Sequence, residues 1–123
     1  MFKRIPSAPP GIVAFDAEGK ITDSDYKTIL IPAVDAAKEA LGKVRVLLRF
    51  GPAFEGYGAH AMLDDTMLGL THWNDFERLA VATDIDWIAH GVRLFGPLIP
   101  AKTRVFPAGA VDEAMDWVSG KEG

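Results

Sequence analysis

The alternation of apolar and polar positions along this chain predicts strands and helices that follow one another. Apolar residues dominate positions 44–50 (VRVLLRF), which is typical of a strand buried on both faces. Shorter strands are predicted at 2–5, at 11–17 with a continuation through 19–21, at 77–82 and at 103–106. Helical spacing of apolar residues predicts four helices, at about 22–41, 59–72, 83–96 and 111–118. This order predicts an α/β fold in a single domain, 1–123, with a mixed, mainly parallel sheet of four or five strands and about four alternating helices.

The first predicted helix carries both start and stop signals. Thr22 precedes it, and Asp25 lies three residues further on, which is a variant of the capping box. Gly42 is placed to end the helix in the left-handed conformation. Pro32 lies inside the helix and should kink or split it between Thr28 and Ile31.

The start of this helix, TDSDY at 22–26, recurs as TDIDW at 83–87 before the predicted third helix. We expect the Thr to cap the helix in each segment. We also expect the aromatic residue to pack against the residue before the cap, Ile21 or Ala82. We interpret this repeat as a local requirement of strand–helix units, not as a duplicated active site.

Composition excludes several classes of function. The 123 residues are 49% hydrophobic and carry a net charge of −4, whereas a nucleic-acid-binding surface needs a basic excess on one face. The chain has no cysteine, so it has no disulfide, no thiolate nucleophile and no Cys-based zinc site. The first ten residues contain no apolar core, so we expect no signal peptide there, and no apolar run is long enough to span a bilayer. We therefore expect a cytoplasmic protein with no membrane span and no nucleic-acid partner.

The order of short motifs along the chain resembles a known family. The motifs are PPGIVAFDAEGKITDSDY, ILIPAV, KVRVLLRF, FEGY, HWNDFERLAV, DWI, RVFP and DEAMDWV. They are similar to those of the SpoIIAA-like family, small bacterial domains that resemble the sporulation anti-sigma-factor antagonist and STAS domains. The resemblance extends from Pro9 to Val118. It implies a mixed, mainly parallel sheet with alternating helices, and it implies no established activity.

The resemblance does not extend to the phosphorylation switch of anti-sigma-factor antagonists. Those proteins carry a phosphorylatable Ser in the loop after the strand that matches Val44–Phe50. This chain has no Ser between Ser24 and Ser119, and no Ser or Thr from 51 to 65. Tyr57 is the only side-chain hydroxyl in the predicted loop at 51–58.

No catalytic or metal-binding set can be assembled from the spacing of residues. His60 lies four residues before Asp64, and Asp86 lies four residues before His90, but neither pair has a third ligand at fixed spacing. We interpret both as surface or half-buried pairs. No Ser–His–acid set and no phosphate-binding motif is present. We therefore expect no enzymatic activity, no cofactor and no metal.

The predicted third helix is apolar on most of its sides. One stripe consists of Ile85, Ile88, Val92 and Phe95, and another of Trp87, Gly91, Leu94 and Leu98. Either neighbouring helices cover both stripes, or one stripe forms a dimer interface or an apolar ligand groove. Gly91 would allow another backbone to approach closely.

Aromatic residues that follow the central strand complete the candidate site, because ligands of a parallel sheet bind beyond the carboxyl ends of its strands. The predicted ligand-binding or partner-binding residues are Phe54, Tyr57, His60, Trp73, Trp87, His90 and Leu94. We expect a non-enzymatic binding and regulatory module that acts through protein–protein contacts and forms a homodimer. The alternative is a carrier or sensor of a small apolar or lipid-like ligand, held between the second and third predicted helices.

Overall fold

The computed structural model describes residues 1–57, 76–98 and 101–120. Their strands are β1 (Phe2–Arg4), β2 (Ile12–Ala17), β3 (Gly19–Ile21), β4 (Val44–Phe50), β5 (Phe54–Tyr57), β6 (Phe76–Thr83) and β7 (Lys102–Phe106). Their α-helices are α1 (Asp23–Asp25), α2 (Ile31–Leu41), α3 (Asp86–Phe95) and α4 (Val111–Val118). A π-helix, Tyr26–Leu30, joins α1 to α2, and a 3-10 turn, Gly96–Leu98, follows α3.

Five strands form one mixed sheet in the order β1-β2-β4-β6-β7. β1 runs antiparallel to β2 at one edge, and the other neighbouring strands are parallel. This confirms the predicted α/β class and the mixed sheet. The predicted bounds of β4, 44–50, are those observed. The predicted helix at 59–72 lies outside the described residues.

Both faces of the sheet are buried, as the apolar run at 44–50 predicts. Val44, Val46 and Phe50 point into a core beneath the π-helix, α2 and α3. Leu47 points to the opposite face, into a second core beneath α4. Because strand side chains alternate between faces, a central strand needs apolar residues of both parities, and β4 supplies them.

The break near Pro32 is present, and it takes the form of a change of helix type. The Ile31 N–H donates to the carbonyl of Tyr26, five residues earlier, and closes the π-helix. Pro32 then occupies the first turn of α2, where a missing N–H is tolerated. Gly42 ends α2 with φ of 80°, as predicted, and this left-handed conformation suits glycine.

Two of the predicted strand boundaries are wrong. Residues 19–21 do not continue β2; they form β3, which pairs in parallel with β5 in a separate two-stranded sheet. The segment at 51–58 was predicted to be a loop, but it contains β5. Both strands are short and contain glycine, so their own residues favour a loop, and only their mutual pairing makes them strands.

The predicted start of the third helix is also wrong. Thr83 is the last residue of β6, and α3 begins at Asp86 with the extended residue Ile85 before it. The parallel partner of Thr83 is Phe50, so the sheet extends one residue beyond the predicted strand.

Among the described residues, no helix has the length and apolar character needed to cross a membrane.

Candidate functional site

The carboxyl ends of β4 and β6 lie side by side, and Thr83 ties them together. Its buried hydroxyl donates to the Phe50 carbonyl at 3.0 Å and accepts the Ile85 N–H at 3.1 Å. The same side chain therefore closes the end of the sheet and fixes the first residue before α3. This sets the direction in which α3 leaves the sheet.

Two further side chains connect the carboxyl ends of these strands to the segment that follows β7. Asp84 accepts the backbone N–H of Ala108 at 3.1 Å. Arg49 donates to the carbonyl of Ala108 at 2.9 Å and to the carboxylate of Asp16 at 3.1 Å. A Cβ at Gly51 would lie 2.7 Å from the Arg49 guanidinium, so a side chain at position 51 would make the guanidinium shift. These hydrogen bonds fix the carboxyl end of the sheet relative to the segment after β7.

Three aromatic rings meet at the carboxyl end of the sheet. Phe54 of β5 packs edge-on against Phe50, with ring centroids 5.0 Å apart. Trp87 of α3 also packs against Phe54, with ring centroids 6.4 Å apart. Phe50 is buried and Phe54 is half-buried, whereas Trp87 is 53% exposed. The rings therefore lead from the core to the surface.

Helix α3 has one buried face and one exposed face. Ile88 and Ala89 are buried, and Val92 packs against the core. Trp87 and Leu94 are seven residues apart, close to two full turns, and so lie on one face about 10 Å apart. Leu94 is 71% exposed. Large apolar side chains on one exposed helix face are typical of an interaction surface.

His90 and Gly91 lie between Trp87 and Leu94 along this helix. His90 is exposed there, and no described atom lies within 4 Å of a Cβ built at Gly91. We call Trp87, His90, Gly91 and Leu94 the α3 strip. The strip combines a large aromatic, a large aliphatic and a glycine that leaves space for another backbone.

Charged residues border the α3 strip on one side. Asp86 and Arg93 are both exposed. The predicted pair between Asp86 and His90 does not form, since no hydrogen bond joins these two described side chains. Among the residues that the structure describes, no group of three or more His, Asp or Glu side chains could hold a metal ion.

The structure places the predicted site residues in three groups. Phe54 and Trp87 are brought into contact, although 33 positions separate them in the sequence. His90 and Leu94 lie further along α3, on the same exposed face as Trp87. Tyr57 is the last residue of β5, in register with Ile21.

The remaining two predicted site residues, His60 and Trp73, lie outside the described residues, as does Asp64, which was predicted to pair with His60. Sequence reasoning missed Phe50, which supports Phe54 from below. It also missed the Asp84–Ala108 link that positions the start of α3. No local signal identifies either, because each contact depends on which strands are neighbours.

Two cavities lie at the opposite end of the sheet, near the amino ends of the strands. One, of about 450 Å³, is lined by Arg93, Gly96, Pro97, Ala101 and Thr103. The other, of about 240 Å³, is lined by Pro9, Pro10, Gly11, Ile12, Leu41, Arg45 and Ser119. Neither is lined by Phe54 or Trp87, but Arg93, which borders the α3 strip, also lines the first.

Comparison with known proteins identifies the family. The profile of the SpoIIAA-like family matches residues 12–119. The chain is also similar to a solved structure of an uncharacterized protein of the DUF3478 family with a SpoIIAA-like fold, from Shewanella loihica PV-4. The two share 25% identity and a TM-score of 0.72, over 96% of this chain and 90% of the other. No curated protein matches the sequence. The resemblance seen in the sequence motifs is thereby confirmed, and the protein belongs to the SpoIIAA-like family.

Proposed function

We propose that this protein is a non-enzymatic binding and regulatory module that acts through protein–protein contacts, including self-association, at the α3 strip. The observation that carries the proposal is the exposure of Trp87 and Leu94 on one face of α3. Burying such side chains in an interface gains free energy in proportion to the apolar area removed from water. Aromatic anchors of this kind dominate the energy of many interfaces.

The geometry beneath the strip supports a rigid interface. Thr83 and Asp84 fix the start of α3 through side-chain hydrogen bonds to three backbone groups. Phe54 supports the inner side of Trp87. An interface built on a fixed element loses less conformational entropy on binding than one built on a mobile loop.

The regulatory part of the proposal excludes a serine phosphorylation switch. The chain has no Ser between Ser24 and Ser119, so the loop after β4 lacks the phosphorylatable residue of anti-sigma-factor antagonists. Regulation would therefore depend on the partner bound at the strip.

Light scattering coupled to size-exclusion chromatography tests self-association. We expect a dimer at tens of micromolar and a shift to monomer for Leu94→Asp, with the circular dichroism spectrum unchanged. Leu41→Asp is the matched control, because Leu41 is an exposed leucine on a different helix, α2, and its replacement should leave the dimer intact. A wild-type protein that is strictly monomeric at this concentration would exclude self-association.

The alternative function is a carrier or sensor of a small apolar or lipid-like ligand. The contact between half-buried Phe54 and exposed Trp87 favours it, since these rings can form an aromatic wall. Native mass spectrometry after gentle purification distinguishes the two functions. A co-purifying small mass that is lost in Trp87→Ala would favour the carrier, whereas a ligand-free dimer would favour the interaction module.

A further inference from the structure

Two opposite charges lie on one side of the α3 strip. Asp86 is in the first turn of α3 and Arg93 is in the last, and both are exposed. Seven residues make nearly two full turns, so the two charges lie on the same side of the helix. No ion pair joins either charge to another residue that the structure describes. Both are therefore available to a partner that carries the opposite order of charges.

The apolar residues of the strip have the same spacing as the charges. Trp87 and Leu94 are seven residues apart, as are Asp86 and Arg93. The midpoint of each pair falls within one residue of His90. A two-fold rotation about an axis near His90 would therefore place Asp86 of one copy opposite Arg93 of the other. It would also place Trp87 opposite Leu94. This is the self-complementarity that an isologous dimer interface requires.

On the basis of the proposed function, we propose that the partner at the α3 strip is a second copy of this chain, with the two α3 helices packed antiparallel across a two-fold axis near His90. In this arrangement Trp87 packs against Leu94 of the partner subunit. Asp86 faces Arg93 of the partner subunit, and the symmetry makes each contact twice. Gly91, with no described atom within 4 Å of a Cβ built there, allows the two helices to approach closely.

The charge pattern selects the antiparallel orientation over the parallel one. Across an antiparallel helix pair, a given side of one helix meets the same side of the other. Across a parallel pair, it meets the opposite side. The parallel arrangement would place Asp86 and Arg93 against the side that carries Gly91, where neither finds an opposite charge. Only the antiparallel arrangement satisfies both charges at once.

The helix dipole offers a simpler explanation for the same charges. An acid in the first turn and a base in the last turn stabilise an isolated helix, whatever its partner. A test must therefore separate the stability of the helix from the affinity of the dimer. Charge reversal does this, because reversing both charges disfavours the dipole but restores the pairs between subunits.

The experiment measures the dimer dissociation constant by sedimentation equilibrium in low-salt buffer, with circular dichroism as the check on folding. We expect D86R and R93D each to weaken the dimer about tenfold, since each turns two attractions into two repulsions. The double variant D86R/R93D should return to within about threefold of wild type. D112R is the matched control, because Asp112 is an exposed acid in the first turn of α4, and its reversal should leave the dimer unchanged.

Mixing the two single variants gives the sharpest result. D86R carries two bases beside the strip and R93D carries two acids, so a heterodimer between them has only attractive pairs. We expect native mass spectrometry of the equimolar mixture to show the heterodimer in clear excess over both homodimers. The excess should fall as salt is added, because exposed pairs are screened.

The outcomes separate this inference from the proposed function. If L94D abolishes the dimer but the double variant is no better than the single ones, and the mixture forms no excess heterodimer, the antiparallel pairing is wrong and the strip is still an interface. If wild type is monomeric throughout, self-association itself fails. If D112R weakens the dimer as much as D86R does, the effect is one of net charge, and the pairing is again overturned.

Discussion

Residues 22–26 and 83–87 carry the same order of side chains, yet Thr22 and Asp25 bond to each other, whereas Thr83 and Asp84 bond to residues far away in the sequence. Each reads Thr, Asp, any residue, Asp, aromatic. Each precedes or begins a helix after a strand. The comparison therefore separates what a local pattern specifies from what its surroundings specify.

In the first segment the side chains satisfy one another. The Thr22 N–H donates to the Asp25 carboxylate at 2.8 Å, and the Asp25 N–H donates to the Thr22 hydroxyl at 3.3 Å, which completes a capping box. Tyr26 packs edge-on against Phe2 of the edge strand, with ring centroids 5.1 Å apart. The contact of Tyr26 with Phe2 connects β1 to the start of the π-helix.

In the second segment the threonine is part of the sheet, and its hydroxyl bonds to the neighbouring strand. The Thr83 hydroxyl is bound to Phe50 and Ile85, and Asp84 is bound to Ala108, so neither caps α3 as Thr22 caps α1. Asp86 and Trp87 are left exposed. The difference shows that the same local pattern makes different contacts when different distant segments lie beside it.

The largest expected effect concerns the two aromatic residues. Tyr26→Ala should lower the free energy of unfolding by about 2–3 kcal/mol, because the ring contacts Phe2 and the core. Trp87→Ala should cost less than about 1 kcal/mol, because half of that ring is already in water. Urea unfolding of dilute protein, followed by circular dichroism, measures both. Equal losses would show that the two segments serve the fold alike.

The two threonines should differ next. Thr83→Val should cost about 2 kcal/mol, since it removes the buried hydroxyl that bonds to the Phe50 carbonyl and the Ile85 N–H. Thr83→Ser keeps the hydroxyl and should recover most of the loss. The same urea experiment measures both variants. If Thr83→Val were as stable as wild type, the hydroxyl would not be the link between β4 and α3.

The capping threonine should have a smaller effect. Thr22→Ala should cost about 1 kcal/mol, which is typical for the loss of an exposed N-cap. Thr22→Ser should be close to wild type. Because β1 packs on the π-helix that follows, amide hydrogen exchange should rise mainly at Tyr26–Leu30. A uniform rise across the sheet would contradict a local capping role.

The smallest effect is a dependence on pH. Burial raises the pKa of Asp25, but hydrogen bonds from Thr22 and the terminal ammonium 3.3 Å away outweigh burial and hold the pKa below its ordinary value. The unfolded chain therefore binds this proton more tightly than the folded chain. Asp25 contributes stability above the unfolded pKa of about 4, and this contribution is lost as the pH falls through the lower folded pKa.

Urea midpoints measured between about pH 6 and about pH 3 test this sign. We expect the wild type to lose more stability on acidification than Asp25→Asn, which cannot titrate at this position. Thr22→Ala should fall between them, since the backbone N–H of residue 22 still donates to the carboxylate. Parallel curves for wild type and Asp25→Asn would contradict the lowered pKa.

Much of the fold could be predicted from the sequence, because it depends on interactions between near neighbours along the chain. The bounds of β4, the end of α2 at Gly42 and the break before Pro32 each follow from residues within one or two turns. The family could also be identified from the order of motifs. The candidate site was predicted only as a set of residues, with no basis for deciding which of them meet.

By itself, the sequence determined that α3 carries two apolar stripes. It follows that at least one stripe either packs against another element or remains exposed to solvent. Tertiary structure alone decided that Trp87 and Leu94 are the exposed ones. It also decided that Phe54 supports Trp87, that 54–57 is a strand, and that Thr83 belongs to the sheet. The physical reason is that a local pattern fixes a residue's conformation and face. Its burial and hydrogen-bond partners depend on which distant segments the topology brings beside it.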